Sequence, residues 1–290
     1  MAGACTSGVD TGFVALGYGK VAILGVVQGI TELLPISSTA HMRIVPAFLG
    51  WQDPGSAFSA AMQLAALGAV LTYFWKDVSQ LTVGATKALI RRQFDHPAFR
   101  FALGVALATV PVVIFGLLLS GLLNQCNSPL RALEVIGTAS VVMALLMAAA
   151  EIGARHVRVV GDATLKDHLL VGLAQAGALI PGVSRSGSTL TAAMFLGFKR
   201  EEAARFSFLM GLPAITLAGL KEIFVLWRSG LDVHGWSVLL FGLLVASIAA
   251  YAAIYLLMAI VERFSSWPFV IYRAGMGTLL LAGVYWGWLS

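Results

Sequence analysis

Apolar positions along this chain form long runs with few polar interruptions. Six runs, roughly 56–75, 101–123, 132–152, 206–227, 236–260 and 268–289, are continuous enough to be read as membrane spans. Each holds about 20 or more mainly apolar residues, enough to cross a hydrocarbon core of about 30 Å. None alternates with period two, which argues against the strands of a transmembrane barrel. Two further apolar regions are cut by polar residues: roughly 20–49 by LPISSTAHMR, and roughly 168–198 by PGVSRSGST. In the second, the unbroken arm from Leu169 to Ile180 has 12 residues. As a helix it reaches about 18 Å, too short to cross. Both regions read as re-entrant or discontinuous helices, whose irregular backbone must be buried in protein or line a wet cavity.

The two broken regions resemble each other. GVVQGITELLPISST from Gly25 aligns with GLAQAGALIPGVSRSGST from Gly172, with small gaps, pairing Gln28 with Gln175 and Pro35 with Pro181. FSAAMQLAA from Phe58 then aligns with FSFLMGLPA from Phe206. The offset is 147 residues at the glutamines and 148 at the phenylalanines, which marks an internal duplication. Repeat one covers about 20–152 and repeat two about 168–289, within a single membrane domain over 1–290. Each repeat has one broken hairpin and three spans. Three is odd, so the second repeat must lie inverted relative to the first, with the polar breaks meeting near the midplane. The predicted fold class is an all-α polytopic membrane protein of six transmembrane helices plus two re-entrant helix pairs.

Composition and charge sharpen this picture. The chain is 59% hydrophobic and 11% charged, against about 25% charged in soluble domains. A net charge of +5 in such a chain sets topology and does not point to nucleic acid. With the N-terminus outside, the inside loops carry Lys76, Lys87, Arg91, Arg92, Arg100, Arg155, Arg158, Lys166, Lys199, Arg200, Arg205 and Arg263, whereas the outside loops carry Arg131 and Arg228. Twelve against two is the asymmetry expected of a multi-pass protein with both termini outside. Cys5 and Cys126 would share that side, where a disulfide is chemically permitted. The N-terminal MAGACTSGVDTGF lacks a basic n-region and does not read as a cleaved signal peptide.

Ionisable groups inside a membrane are costly, which marks the two breaks as a functional site. The first break supplies Glu32, His41 and Arg43, with Gln28 one helical turn before Glu32 on the same face. Ser37, Ser38 and Thr39 follow Pro35. The second supplies Arg185 with Ser184, Ser186, Ser188 and Thr189, between Gly182 and Gly187. Successive N–H groups entering a helix N-terminus cradle anions, and a guanidinium fork suits phosphate oxygens. Together the breaks would assemble an acid, a base, hydroxyls and a phosphate clamp, a set suited to phosphoryl transfer. Glu32 could hold a divalent cation, with Gln28 as a neutral oxygen ligand. A kinked-helix hydroxyl cluster or a structural Glu32–Arg185 pair are the plainer readings. Arg43 and Arg273 read as snorkelling cations. Lys221 and Glu222 read as a rim pair, the 76–100 charge run as a solvated loop with an amphipathic piece, and His96, His156, His168 and His234 receive no role.

At these residues the chain resembles the bacterial undecaprenyl-diphosphate phosphatases, or bacitracin-resistance proteins. GVVQGITELLPISSTAHM, PGVSRSGST, EAARFSFLMGLPA and PFVIYR carry the resemblance, which runs over nearly the whole chain. It implies an inner-membrane hydrolase that removes the terminal phosphate of undecaprenyl diphosphate and so regenerates the lipid carrier for peptidoglycan and other envelope polymers. It also implies a site open to the periplasm, an inverted repeat with two re-entrant pairs, and a divalent cation, Mg2+ or Ca2+. The family's acidic motif maps to Gln28 and Glu32, its serine and histidine to Ser38 and His41, and its phosphate-binding arginine to Arg185 among Ser184, Ser186, Gly187 and Thr189, with Ser37 beside Ser38. Gln28 departs from the members that carry Glu there, which puts a two-carboxylate site in question. The nucleophile stays open between Ser38 activated by His41 and a water activated by His41 or Glu32. The partners expected are the polyprenyl diphosphate lipid and the membrane, with a homodimer left open. The rival reading is a transporter or flippase of a lipid-linked phosphate, since inverted repeats with broken helices also build transporters.

Overall fold

The structure is a computed structural model that describes residues 11–123 and 128–289. Cys5 and Cys126 lie outside the described residues. The chain is all-helical, and no strand forms among the described residues. In order the helices are α1 (Phe13–Leu33), α2 (Ser38–Phe48), α3 (Ser56–Met62), α4 (Leu64–Tyr73), α5 (Trp75–Ile90), α6 (Pro97–Leu118), α7 (Ser120–Leu123), α8 (Leu133–Gly153), α9 (Leu165–Gly177), α10 (Arg185–Phe195), α11 (Arg200–Arg228), α12 (Val233–Arg263) and α13 (Trp267–Tyr285).

Among the described residues, seven helical stretches are long and apolar enough to cross a membrane. Six coincide with the predicted spans, the first of them divided at Gln63 into α3 and α4. The seventh is α1, which starts at Phe13, ahead of the predicted arm at about 20. Gly17, at φ 68° and ψ 174°, breaks α1 near its start. The 16 residues beyond it reach about 24 Å. The amphipathic piece of the 76–100 run is α5, which buries only Ala88.

Local sequence sets the helix limits. Thr164 and Asp167 cap α9 reciprocally: Thr164 Oγ1 accepts from Asp167 N–H, and the Asp167 carboxylate accepts from Thr164 N–H. Asp232 caps α12 by accepting from Gly235 N–H at 2.7 Å. α1 stops where Pro35 removes a donor, and α9 stops before Pro181.

The long helices cross where small residues let backbones touch, as in membrane interfaces driven by close packing. GVVQG of α1 lies against GLLVA of α12, where a Cβ on Gly29 would stand 2.3 Å from the Ala246 carbonyl oxygen. GLAQA of α9 lies against GVALA of α6, where a Cβ on Gly172 would stand 2.4 Å from the Ala108 oxygen. α8 and α13 cross at Gly137 and Gly277, each facing the other's carbonyl. His168, expected at a loop edge, is 1% exposed on α9 between Phe101 and Phe206. The notch at Gly104 makes room for its ring. Apolar cores enclose both short helices. Met42 of α2 packs with Leu24, Phe58 and Met62, and Leu190 and Met194 of α10 pack with Phe206 and Phe208.

Candidate active site

Each break is a tight turn that ends in a capped helix. Ser37 (φ 74°) and Ser184 (φ 73°) both occupy the left-handed region, rare for residues with a Cβ. Each side chain accepts from the backbone N–H three residues on, Ala40 for Ser37 and Gly187 for Ser184. The two serines are 147 residues apart, the offset of the glutamines. Strain of this kind costs on the order of 1–3 kcal/mol and persists where the surroundings enforce it. It aims the first turns of α2 and α10 into the same interior space, where helix N-termini favour negative charge. The alignment places Ser38 where repeat two has Arg185, the first residue of each helix.

Glu32 joins the breaks. It is 5% exposed. Its Oε2 accepts from Ser38 Oγ at 2.6 Å and from Gln28 Nε2 at 2.9 Å. Its Oε1 accepts from Arg185 Nη2 at 3.3 Å. Ser186 Oγ reaches across to the carbonyls of Glu32 (3.2 Å) and Leu34 (3.1 Å), satisfying the end of α1. Arg185 Nε and Nη1 are buried and have no protein partner. Buried donors in this state cost free energy unless an acceptor arrives, and a phosphate supplies acceptors to a guanidinium fork.

Gly211 of α11 creates the space for that fork, since a Cβ there would lie 1.7 Å from Arg185 Nη1. Alanine favours helix over glycine, which offsets part of the cost of moving the guanidinium, so Gly211→Ala is expected to lower stability only modestly. Displacing the guanidinium should nonetheless cut turnover by about 10²-fold, the penalty for misplacement near 1 Å. Melting temperature and turnover measured on one preparation check both halves of the prediction.

Other predicted site residues are engaged with protein. Thr189 Oγ1 bonds the Arg185 carbonyl at 2.7 Å and Ser207 Oγ at 2.5 Å, and the residue is wholly buried. Gly187 lies close to Arg273 Nη1, which a Cβ would meet at 3.1 Å. Ser184 Oγ also meets Ser186 Oγ at 3.2 Å. Ser38 and His41 share a helix turn but form no hydrogen bond. Ser38 turns to Glu32, while His41 Nδ1 bonds the Ser37 carbonyl and His41 Nε2 the Tyr272 hydroxyl, each at 2.7 Å.

Arg273 corrects the snorkelling expectation. It is 0% exposed and donates to the carbonyls of Pro35 (3.0 Å), Gly182 (2.6 Å) and Val183 (3.0 Å). Two interrupted helices leave carbonyls without intrahelical donors, and one guanidinium from α13 supplies both breaks. Arg43 is also paired: it and Arg131 share the Asp53 carboxylate at 3.2 and 2.9 Å. Tyr272 went unassigned in the sequence, where its only signal was the PFVIYR stretch. Lys221 and Glu222 do pair, at 3.0 Å, on an exposed edge.

No group of three or more His, Cys, Asp or Glu side chains gathers among the described residues, so the protein offers no closed metal cage there. Gln28 donates through Nε2 to Glu32 Oε2, so its Oε1 is the atom a cation would take. This donor set fits a cation that takes its remaining ligands from phosphate oxygens, as Mg2+ commonly does.

The chain is similar over most of its length to known proteins. The chain is 67% identical over 263 residues to the protein of Mesorhizobium japonicum named Undecaprenyl-diphosphatase 2, covering 91% of this chain and all of that one. It is 46% identical over 272 residues to the Undecaprenyl-diphosphatase of Trichormus variabilis (93% and 85% covered). It is 48% identical over 266 residues to that of Gloeobacter violaceus (92% and 91% covered). Residues 21–279 match the family described as Bacitracin resistance protein BacA, and the chain belongs to that family.

Proposed function

We propose that this protein is a membrane-embedded phosphatase that hydrolyses undecaprenyl diphosphate to undecaprenyl phosphate and inorganic phosphate. The observation that carries the proposal is the buried Arg185 fork, whose Nε and Nη1 lack acceptors beside one carboxylate. Translocation without hydrolysis finds no support in relatives named as diphosphatases. The architecture proposed is six spans and two re-entrant pairs in an inverted repeat. Equivalent crossings support it: α1 on α12 matches α9 on α6, and α8 on α13 pairs two equivalent helices at equivalent glycines. The charge asymmetry supports outside termini, and the family resemblance supports a site opening to the periplasmic side of the inner membrane.

The distal phosphate docks on Arg185 Nε and Nη1 at the N-terminus of α10. Ser38 Oγ attacks phosphorus as its proton passes to Glu32 Oε2, already its hydrogen-bond acceptor at 2.6 Å. The anhydride P–O bond breaks and undecaprenyl phosphate leaves. Water then attacks the phosphoserine and gives a proton to His41 Nε2. The Ser38 oxygen recovers its proton from Glu32 as inorganic phosphate departs. Arg185 stabilises charge on the transferring phosphoryl group in both steps. A divalent cation, Mg2+ or Ca2+, would be held by Glu32 and Gln28 and would supply Lewis-acid neutralisation of phosphate charge.

Gln28→Glu adds a second carboxylate at the cation site. It is expected to preserve activity while lowering the metal concentration needed for half-maximal rate. A metal titration of phosphate release by wild-type and variant protein in detergent tests this. Complete inactivation would show that the neutral amide is required and would remove Gln28 from the metal site. Detergent also tests the function itself, because hydrolysis needs no second compartment and translocation does.

A further inference from the structure

We infer that Tyr272 is a positioning residue that holds the His41 imidazole and passes it the proton through its hydroxyl. The inference rests on the role proposed above for His41. The Ser37 carbonyl can only accept, so the neutral His41 ring carries its proton on Nδ1 and donates it there at 2.7 Å. Nε2 is then a bare acceptor, and the Tyr272 O–H donates to it at 2.7 Å. The two rings lie nearly parallel, 14° apart with centroids at 5.7 Å, so the phenol fixes the imidazole plane as well as its lone pair.

The burial of the two residues differs. His41 is 7% exposed and Tyr272 46% exposed. The base is therefore enclosed by protein, and the phenol is the group that meets its Nε2. A phenol both donates and accepts, so it satisfies either protonation state of His41. When water attacks the phosphoserine, the Tyr272 oxygen takes its proton as the phenolic proton passes to Nε2, whose one lone pair the phenol already holds. Nε2–H then donates to the Tyr272 oxygen, which satisfies the imidazolium until the proton is lost again. No bond other than O–H and N–H changes, and the phenol returns to its starting state. The charged group that acts on His41 is Arg273 of α13, and Glu32 of α1 reaches the same helix through Ser38. Tyr272 forms the hydrogen bond to Nε2.

The test uses full-length protein in detergent and follows phosphate release from C55 prenyl diphosphate across pH for wild type, Tyr272→Phe, His41→Gln and the double variant. Phenylalanine keeps the ring and removes only the hydroxyl. Tyr272→Phe is expected to lower kcat about tenfold with KM unchanged, a fraction of a general-base contribution. It should also move the limb of the pH profile that disappears in His41→Gln, and added imidazole should restore part of the rate. In the His41→Gln background the second change should add nothing. An impaired His41→Gln with a Tyr272→Phe enzyme of wild-type kcat and pH profile would overturn this inference alone. Full activity in His41→Gln would overturn it together with the role of His41. A loss confined to thermal stability, with the pH profile unmoved, would reduce Tyr272 to a packing residue and equally overturn it.

Discussion

Arg185→Ala is expected to lower phosphate release by about 10³-fold or more, the range for arginines that stabilise a transferring phosphoryl group. The protein should remain folded. Arg185 makes one side-chain hydrogen bond to protein, the 3.3 Å contact with Glu32, and keeps two donors without partners. Its removal leaves Glu32 hydrogen-bonded to Gln28 and Ser38. Turnover of detergent-purified protein, read with its melting temperature, checks both parts. Arg185→Lys should recover only part of the rate, because an ammonium keeps the charge but not the fork. An alanine variant with turnover near wild type would remove the clamp from the account. A variant that fails to insert or fold would assign the arginine to structure.

Glu32→Gln should be as severe in turnover, about 10²–10⁴-fold, the contribution of a positioned general base, and should also destabilise. The amide cannot take the Ser38 proton. It also leaves the Arg185 guanidinium, with a side chain only 13% exposed, without its counter-charge. Breaking a buried pair from one side costs about 3–5 kcal/mol, so the melting temperature should fall here, and fall less in Arg185→Ala, where Gln28 and Ser38 still donate to the carboxylate. Discharging both partners in Glu32→Gln/Arg185→Ala should restore part of the stability and none of the activity. Turnover of Glu32→Gln within about tenfold of wild type would exclude Glu32 as the base for Ser38.

Much of this architecture was legible because its signals are coarse and physical. Uninterrupted apolar runs gave six spans, and the polar breaks at Pro35 and Pro181 marked where helices stop. The offset between Gln28 and Gln175 recurs between the strained caps Ser37 and Ser184. Glu32 and Arg185 stood out because charge inside an apolar chain is expensive. The reach of α1 back to Phe13 was not legible, since the kink at Gly17 does not interrupt the apolar run. Arg273 was misplaced for a different reason. Near the start of a span an arginine reads as snorkelling, and only the three-dimensional convergence of two sets of free carbonyls explains its complete burial. Ser38 and His41 were paired by sequence distance, yet they turn to partners on other helices: Glu32 of α1 and Tyr272 of α13. Helical spacing tells which residues share a face, and it says nothing about which neighbour supplies the better acceptor.

The most direct measurement is the fate of the distal phosphate. C55 prenyl diphosphate carrying a label on its terminal phosphorus is incubated with purified protein in detergent, with magnesium and with chelator. The expected result is label in inorganic phosphate, an unlabelled prenyl monophosphate, and loss of both products with chelator. Label retained on intact lipid, or released as pyrophosphate, would contradict a terminal phosphatase built on Glu32, Ser38 and Arg185.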